Sequence, residues 1–389
     1  MGQPQRGDDA TLTATVSGRV FCADTGAPAR LARVILQPAA LVDDYDENKQ
    51  MGVANQGEAV QTALDGTFVI SHVAPGTYYV VAALAGYISP LAPLLMGPWQ
   101  MRQLSDPEAR KKIAGEVPRV KVQPNLPASV NVSLARGAAV SGTIRYDDGS
   151  PASGVAVQLL VRHENQWVPL PSSSFWMENH ENVTDDQGTY RISGVAGQEY
   201  VLEAQVHVTR MEFSTDGKGR SGMSSGGHNY SFSTYSGNTM RLKNAKPFTI
   251  KAGDELRGED VEIPAAKLHT VRGNVLALSD GHSINGAFVA LIYPDDKSQA
   301  SWGWVTNADD SSFQLNFVPE GDYVLAVGEV SDNEYVQTRD PHNSSITQIM
   351  PHPLRKYGNA HISLRVGGDL SGVTISVPDE PQPASPASQ

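Results

Sequence analysis

From Thr15 to Cys22 apolar and polar residues alternate, placing Val16, Gly18, Val20 and Cys22 on one face of a half-buried strand. The turn Asp24-Thr25-Gly26-Ala27-Pro28 follows, and Ala32, Val34 and Leu36 resume the alternation. Asp65-Gly66 then turns into a strand with Phe68 and Ile70 inward, and Val73-Ala74-Pro75-Gly76-Thr77-Tyr78 leads into Tyr78, Val80 and Ala82. An apolar strand from Ala128 to Leu134 closes the set. The same succession is written twice more, starting at Val140-Ser141-Gly142-Thr143-Ile144 and at Val271-Arg272-Gly273-Asn274-Val275. Its inward positions recur as Val155, Val157 and Leu159, then as Ala287, Val289 and Leu291. This pattern predicts hairpins stacked on a common core, three times over.

The steps between the copies are long enough for whole domains rather than solenoid units. The expected organisation is a flexible arm (1–13), three β-sandwiches (14–136, 137–266 and 267–378) and a disordered Pro-rich tail (379–389). The copies differ in their insertions, where recognition tends to sit. The first has an acidic stretch from Asp43 to Asn55 and an excursion from Ile88 to Pro118. Within that excursion Ser105-Asp106-Pro107-Glu108 starts, and Lys111-Lys112-Ile113-Ala114-Gly115 ends, a predicted short helix: cap, early proline and acid, late base, then glycine. The second copy inserts an aromatic-bearing stretch from His163 to Glu181 and a Gly/Ser-rich one from Glu212 to Thr239. The third inserts Ser301-Trp302-Gly303-Trp304 and Ser331 to Lys356.

Composition agrees with an all-β chain: 36 Gly and 25 Pro in 389 residues suit many short strands and turns. With 42 Asp and Glu against 30 Lys and Arg, the net charge of −12 argues against nucleic acid or an anionic membrane as partner. The single cysteine, Cys22, excludes an internal disulfide and reads as a small buried hydrophobe. No apolar run is long enough to insert in a membrane, and Met1 to Ala10 lacks the apolar core of a secretion signal.

The Gly-x-Val strand, Gly26-Ala27-Pro28, Asp65-Gly66-Thr67-Phe68 and Pro75-Gly76-Thr77-Tyr78 together resemble the carboxypeptidase regulatory-like domain. The second copy keeps Gly149-Ser150-Pro151 but lacks the proline before Gly197, and the third has Asp310-Ser311 in place of the Asp-Gly turn. The resemblance implies three tandem seven-stranded Greek-key sandwiches of transthyretin-like type. It further implies non-catalytic structural or binding modules of a bacterial envelope, outside the cytoplasm, with any signal peptide absent from this chain. No zinc-peptidase motif is present, so no peptidase activity is expected.

Sharper chemistry is sparse. Intradiol dioxygenases share the transthyretin-like sandwich, and His352, Tyr357 and His361 resemble a fragment of their iron site without the two-Tyr, two-His set. The first strands offer Arg19, Thr143 and Asn274 where self-formed isopeptide bonds need a lysine. Asp43-Asp44-Tyr45-Asp46-Glu47-Asn48 and Thr184-Asp185-Asp186 concentrate oxygen atoms without the order of a calcium loop. No cofactor, metal site or catalytic residue is therefore assigned. Carbohydrate is the leading ligand class, because a sugar ring needs a flat aromatic platform: Trp302, Trp304, Trp176, Trp167 and Trp99 are the candidate binding residues. Trp302 and Trp304 share a face if their segment is a strand. The competing partner is an envelope protein anchored by the same rings.

Overall fold

A computed structural model describes residues 13–46, 59–91, 102–163, 165–170, 182–209, 212–215, 221–224, 229–305, 311–339 and 347–380. The chain is all-β and divides into two compact units, Met1–Gln205 with Ser233–Glu262, and Val206–Phe232 with Ile263–Gln389.

Among the described residues the first copy supplies seven strands: β1 (Ala14–Cys22), β2 (Arg33–Pro38), β3 (Val60–Gln61), β4 (Thr67–Val73), β5 (Gly76–Ala83), β6 (Arg119–Val122) and β7 (Ala128–Leu134). One sheet runs β4-β1-β7 and the other β3-β2-β5-β6. The core between them holds Val16, Val20, Val34, Leu36, Phe68, Ile70, Val80, Val132 and Leu134. Strand β1 is antiparallel to β4 but parallel to β7, so the first and last strands lie side by side and point the same way.

The second copy adds β8 (Ala138–Tyr146), β9 (Ala156–His163), β10 (Gln166–Pro169), β11 (Thr189–Val195), β12 (Gln198–Thr209), β13 (Glu212–Thr215), β14 (Ser221–Ser224), β15 (Asn229–Tyr235), β16 (Phe248–Ile250), β17 (Glu255–Arg257) and β18 (Val261–Ile263). The sheets are β11-β8-β17, with β18 also on β8, and β10-β9-β12-β15, with β16 on β12. Strands β13 and β14 form a separate hairpin inside the predicted Gly/Ser-rich insertion. Within the second unit, Phe232 packs its ring on Phe317, with centroids 4.9 Å apart.

The third copy comprises β19 (Leu268–Ala277), β20 (Gly286–Ile292), β21 (Gln299–Trp304), β22 (Ser312–Pro319), β23 (Gly321–Arg339), β24 (Thr347–Lys356), β25 (Ala360–Val366) and β26 (Leu370–Val377). Its sheets are β22-β19-β26 and β21-β20-β23-β24, with β25 on β23. The second and third copies thus keep the seven-strand plan and elaborate it. Strand β26 again runs parallel to the first strand of its copy.

The recurring residues have packing causes. Gly18, Gly142 and Gly273 sit opposite Phe68, Tyr190 and Phe313, and a Cβ there would fall 1.7, 2.3 and 2.0 Å from the carbonyl oxygens of Val130, Glu259 and Val373. Only glycine admits the closing strand. The recurring tyrosines pin their own turns: Tyr78, Tyr200 and Tyr323 donate from Oη to the carbonyls of Ala74, Ala196 and Pro319 at 2.9, 2.8 and 2.7 Å.

Where the first two copies have Gly66 and Gly188 at positive φ, the third has Ser311 at φ 51°. Its side chain is fully buried, and its hydroxyl has no hydrogen-bond partner among the described residues. Ser311→Gly is expected to stabilise the second unit by about 1 kcal/mol, read as a higher denaturation midpoint, by relieving the left-handed strain.

The predicted helix spans Pro107–Glu116, with Asp106 as its cap accepting from the Glu108 N–H at 2.9 Å. Gly115 lies inside rather than at the stop, because Val117 ends the helix by turning extended and burying itself. Helix and excursion roof the outer face of β2 and β5: Ile35, Tyr79, Val81 and Ala83 pack under Val42, Leu91, Leu104, Ile113 and Val117. Beneath that roof Tyr79 Oη donates to Asp43 at 2.6 Å, and burial with the Asp43 charge pushes the phenol up to about 12.

The first two copies meet in a tight junction. Tyr87 bridges Arg136, the Ile88 and Gly137 N–H groups donate to Ala135 and Gly86 at 2.9 and 3.0 Å, and the Arg136 guanidinium lies 5.1 Å over the Tyr87 ring. A Cβ on Gly137 would sit 2.5 Å from the Gly194 Cα, and one on Gly194, at φ +80°, would sit 2.8 Å from the Tyr87 carbonyl oxygen.

Candidate functional site

The face roofed in the first copy carries the half-exposed Trp302 and Trp304 in the third. Through the shared inward positions, Ile35 corresponds to Ala290, and Tyr79, Val81 and Ala83 correspond to Val324, Ala326 and Gly328. The floor therefore steps down in size along β23, and no helix covers it among the described residues.

Register builds the walls. Phe288 pairs with Trp304 on one side and Gly328 on the other; Ala290 pairs with Trp302 and Ala326. Across β23, Ala326 pairs with His361 and Val324 with Ser363. Directly paired residues share a sheet face. One face thus has an aromatic wall of Phe288, Trp302 and Trp304, a small floor of Ala326 and Gly328, and a polar wall including His361 and Ser363. The Asn359 amide oxygen lies 3.4 Å from where a Gly328 Cβ would be, which brings a donor-acceptor group to the floor.

Trp302 and Trp304 are each 47% exposed, and their rings lie 5.8 and 5.3 Å from that of Phe288. Gly303 between them faces inward toward Leu315, which holds both tryptophans outward. Phe288 stands at an outward strand position between inward Ala287 and Val289 and is not among the residues the sequence pattern singles out. Its signal was an aromatic at an outward strand position.

Trp167 is half-buried on β10, with the paired Arg162 guanidinium 5.6 Å over its ring. The same sheet carries Glu203, 8% exposed, accepting from Gln158 at 2.7 Å and Ser233 at 2.6 Å. Trp99 and Trp176 lie outside the described residues.

The iron-site fragment is not assembled as one group. Tyr357 Oη is engaged with Asp332 and His282, His361 pairs across from Ala326, and His352 pairs across from Glu334. In the acidic segments Asp43 accepts from Tyr79, and Asp185 accepts from the Gln187 and Thr189 N–H groups at 2.9 and 2.7 Å. Among the described residues no three His, Cys, Asp or Glu side chains are grouped to hold a metal ion, and no helix is long and apolar enough to cross a membrane.

No family model and no curated protein matches this chain. Among solved structures it is similar to the Bacillus anthracis TIE protein, at 12% identity and TM-score 0.20 over 94% of this chain. The match spans about half (51%) of that chain's length. A streptococcal ancillary pilin gives 11% identity and TM-score 0.30, with 95% of this chain and 99% of that one covered. Catechol 1,2-dioxygenase from Acinetobacter gives 15% identity and TM-score 0.19, covering 34% of this chain and 55% of that one. At these scores the likenesses carry no argument about activity or partner. The β-sandwich assignment stands on the sheets and cores themselves.

Proposed function

We propose that the chain is a non-catalytic structural and binding protein of three tandem sandwiches, bounded near 14–136, 137–266 and 267–378, acting outside the cytoplasm. Its third copy binds carbohydrate on the aromatic face of β20, β21, β23 and β25. The observation that carries this reading is the wall of half-exposed Trp302 and Trp304 packed against Phe288, beside a floor of small side chains. The apolar face of a pyranose ring stacks on such a wall, while Asn359, His361 and Ser363 can bond its hydroxyls.

Tryptophan fluorescence titrated with a panel of oligosaccharides tests the reading. Trp304→Ala is expected to weaken binding by on the order of tenfold or more, since a buried aromatic contact contributes about 1–3 kcal/mol. Gly328→Leu, which fills the floor and leaves the tryptophans, is expected to weaken it comparably. Wild-type fluorescence indifferent to every glycan would sink the carbohydrate assignment. The second reading is a protein partner, favoured by the first copy, whose equivalent face is covered by a polypeptide segment.

A further inference from the structure

Five charged or phenolic groups converge where the β23–β24 hairpin leaves the sheet. The turn after β19 supplies Asp280 and His282, β23 supplies Asp332, β24 supplies Arg355, and Tyr357 follows it. His282 Nδ1 lies 2.5 Å from Asp280 Oδ1, and Nε2 lies 3.1 Å from Asp332 Oδ2. Tyr357 Oη, from a side chain only 5% exposed, donates to the same Asp332 oxygen at 2.5 Å and stands 3.0 Å from His282 Nε2.

The donor count decides the state of the ring. Ionised carboxylates only accept, so a ring with a carboxylate at each nitrogen must donate from both. A neutral imidazole would set a lone pair against one of the two oxygens. With Asp280 at one nitrogen and Asp332 at the other, the arrangement favours the imidazolium.

The location gives the proton something to hold. Asp332 pairs with Arg355 at the root of the hairpin, and the register shifts between Asp332 and Asn333. Asn285 grips Asn333 from both sides, accepting its N–H at 2.6 Å and donating to its carbonyl at 2.8 Å. Arg355 reaches onward to Asp379 at 2.6 Å, and the Gly358 N–H donates to Pro378 at 2.7 Å, which ties the end of the last strand to the same point.

We propose that His282 is a pH-operated clasp: as the imidazolium it ties the turn after β19 to the hairpin root, and on losing a proton it releases one carboxylate and loosens that root. The neighbouring charges agree. Hydrogen bonds to Asp280 and then Asp332 hold the imidazole above its ordinary value, and the His282 contact holds Asp280 below the usual carboxylate range. A His value raised by folding contributes stability that is complete below the unfolded value of about 6.5 and is lost as pH rises through the folded one. The clasp is therefore closed in mild acid and opens toward alkaline pH.

Hydrogen exchange of the hairpin amides, normalised to β19 amides in the same molecule, tests this. Hairpin protection is expected to fall by up to roughly tenfold per pH unit above about 6.5, while β19 stays level. His282→Gln is expected to flatten that dependence. Asp280→Asn, a change at the more exposed end of the cluster, is expected to bring the His282 ring titration, followed by NMR, back toward its ordinary value. Hairpin protection that tracks β19 throughout, or a wild-type ring titrating at or below about 6.5, overturns the clasp.

Discussion

Gly273→Ala is expected to unfold the third sandwich at a denaturant concentration where the wild type is intact. The new methyl would fall 2.0 Å from the Val373 carbonyl oxygen and 2.6 Å from the Phe313 ring, and neither can step aside singly. Val373 belongs to β26, which is held to β19 along its length, and Phe313 is 1% exposed in the core. Accommodating the methyl means displacing the closing strand, at a cost of about 3 kcal/mol or more. Gly367→Ala is the control: a Cβ there meets nothing within 4 Å, so its effect should stay within about 0.5 kcal/mol. If Gly273→Ala denatures at the wild-type midpoint, the close approach of β26 is wrong.

Gly194→Ala is expected to uncouple the first two copies. It combines positive φ with a methyl 2.8 Å from the Tyr87 carbonyl oxygen, beside the point where the Gly137 N–H of the second copy donates to Gly86 of the first. The strain should cost roughly 2–4 kcal/mol and fall on the junction rather than on either core. By scanning calorimetry the transition of the first unit should split in two, and protease should gain a cut near Arg136. An unsplit transition with no new cleavage would mean that the contact does not couple the copies.

Much of this fold could be read from the chain because its information is local. Strand alternation has a period of two residues, and the turn signatures sit within five or six, so β1 and β7 fall where the pattern puts them. The need for Gly18 and its counterparts was visible as a repeated letter, but its cause was not, since Val130 lies far along the chain. The helix was equally legible from its cap and proline, yet nothing local says that it roofs Tyr79. The aromatic face was half legible: Trp302 and Trp304 are two residues apart on one strand, whereas Phe288, Gly328 and Asn359 reach them only through sheet register. The clasp was not legible at all, because Asp280, Asp332, Tyr357 and Asp379 come from separate stretches that only the folded sheet brings together.

The parallel neighbours β1 and β7, and again β19 and β26, have a mechanical consequence. Chain enters such a sandwich at the start of one strand and leaves at the far end of its parallel neighbour. Tension along the chain then pulls the two strands past each other lengthwise, and all the rungs between them resist together instead of peeling one at a time. A protein that must hold its spacing while stretched between two anchor points is well served by that arrangement.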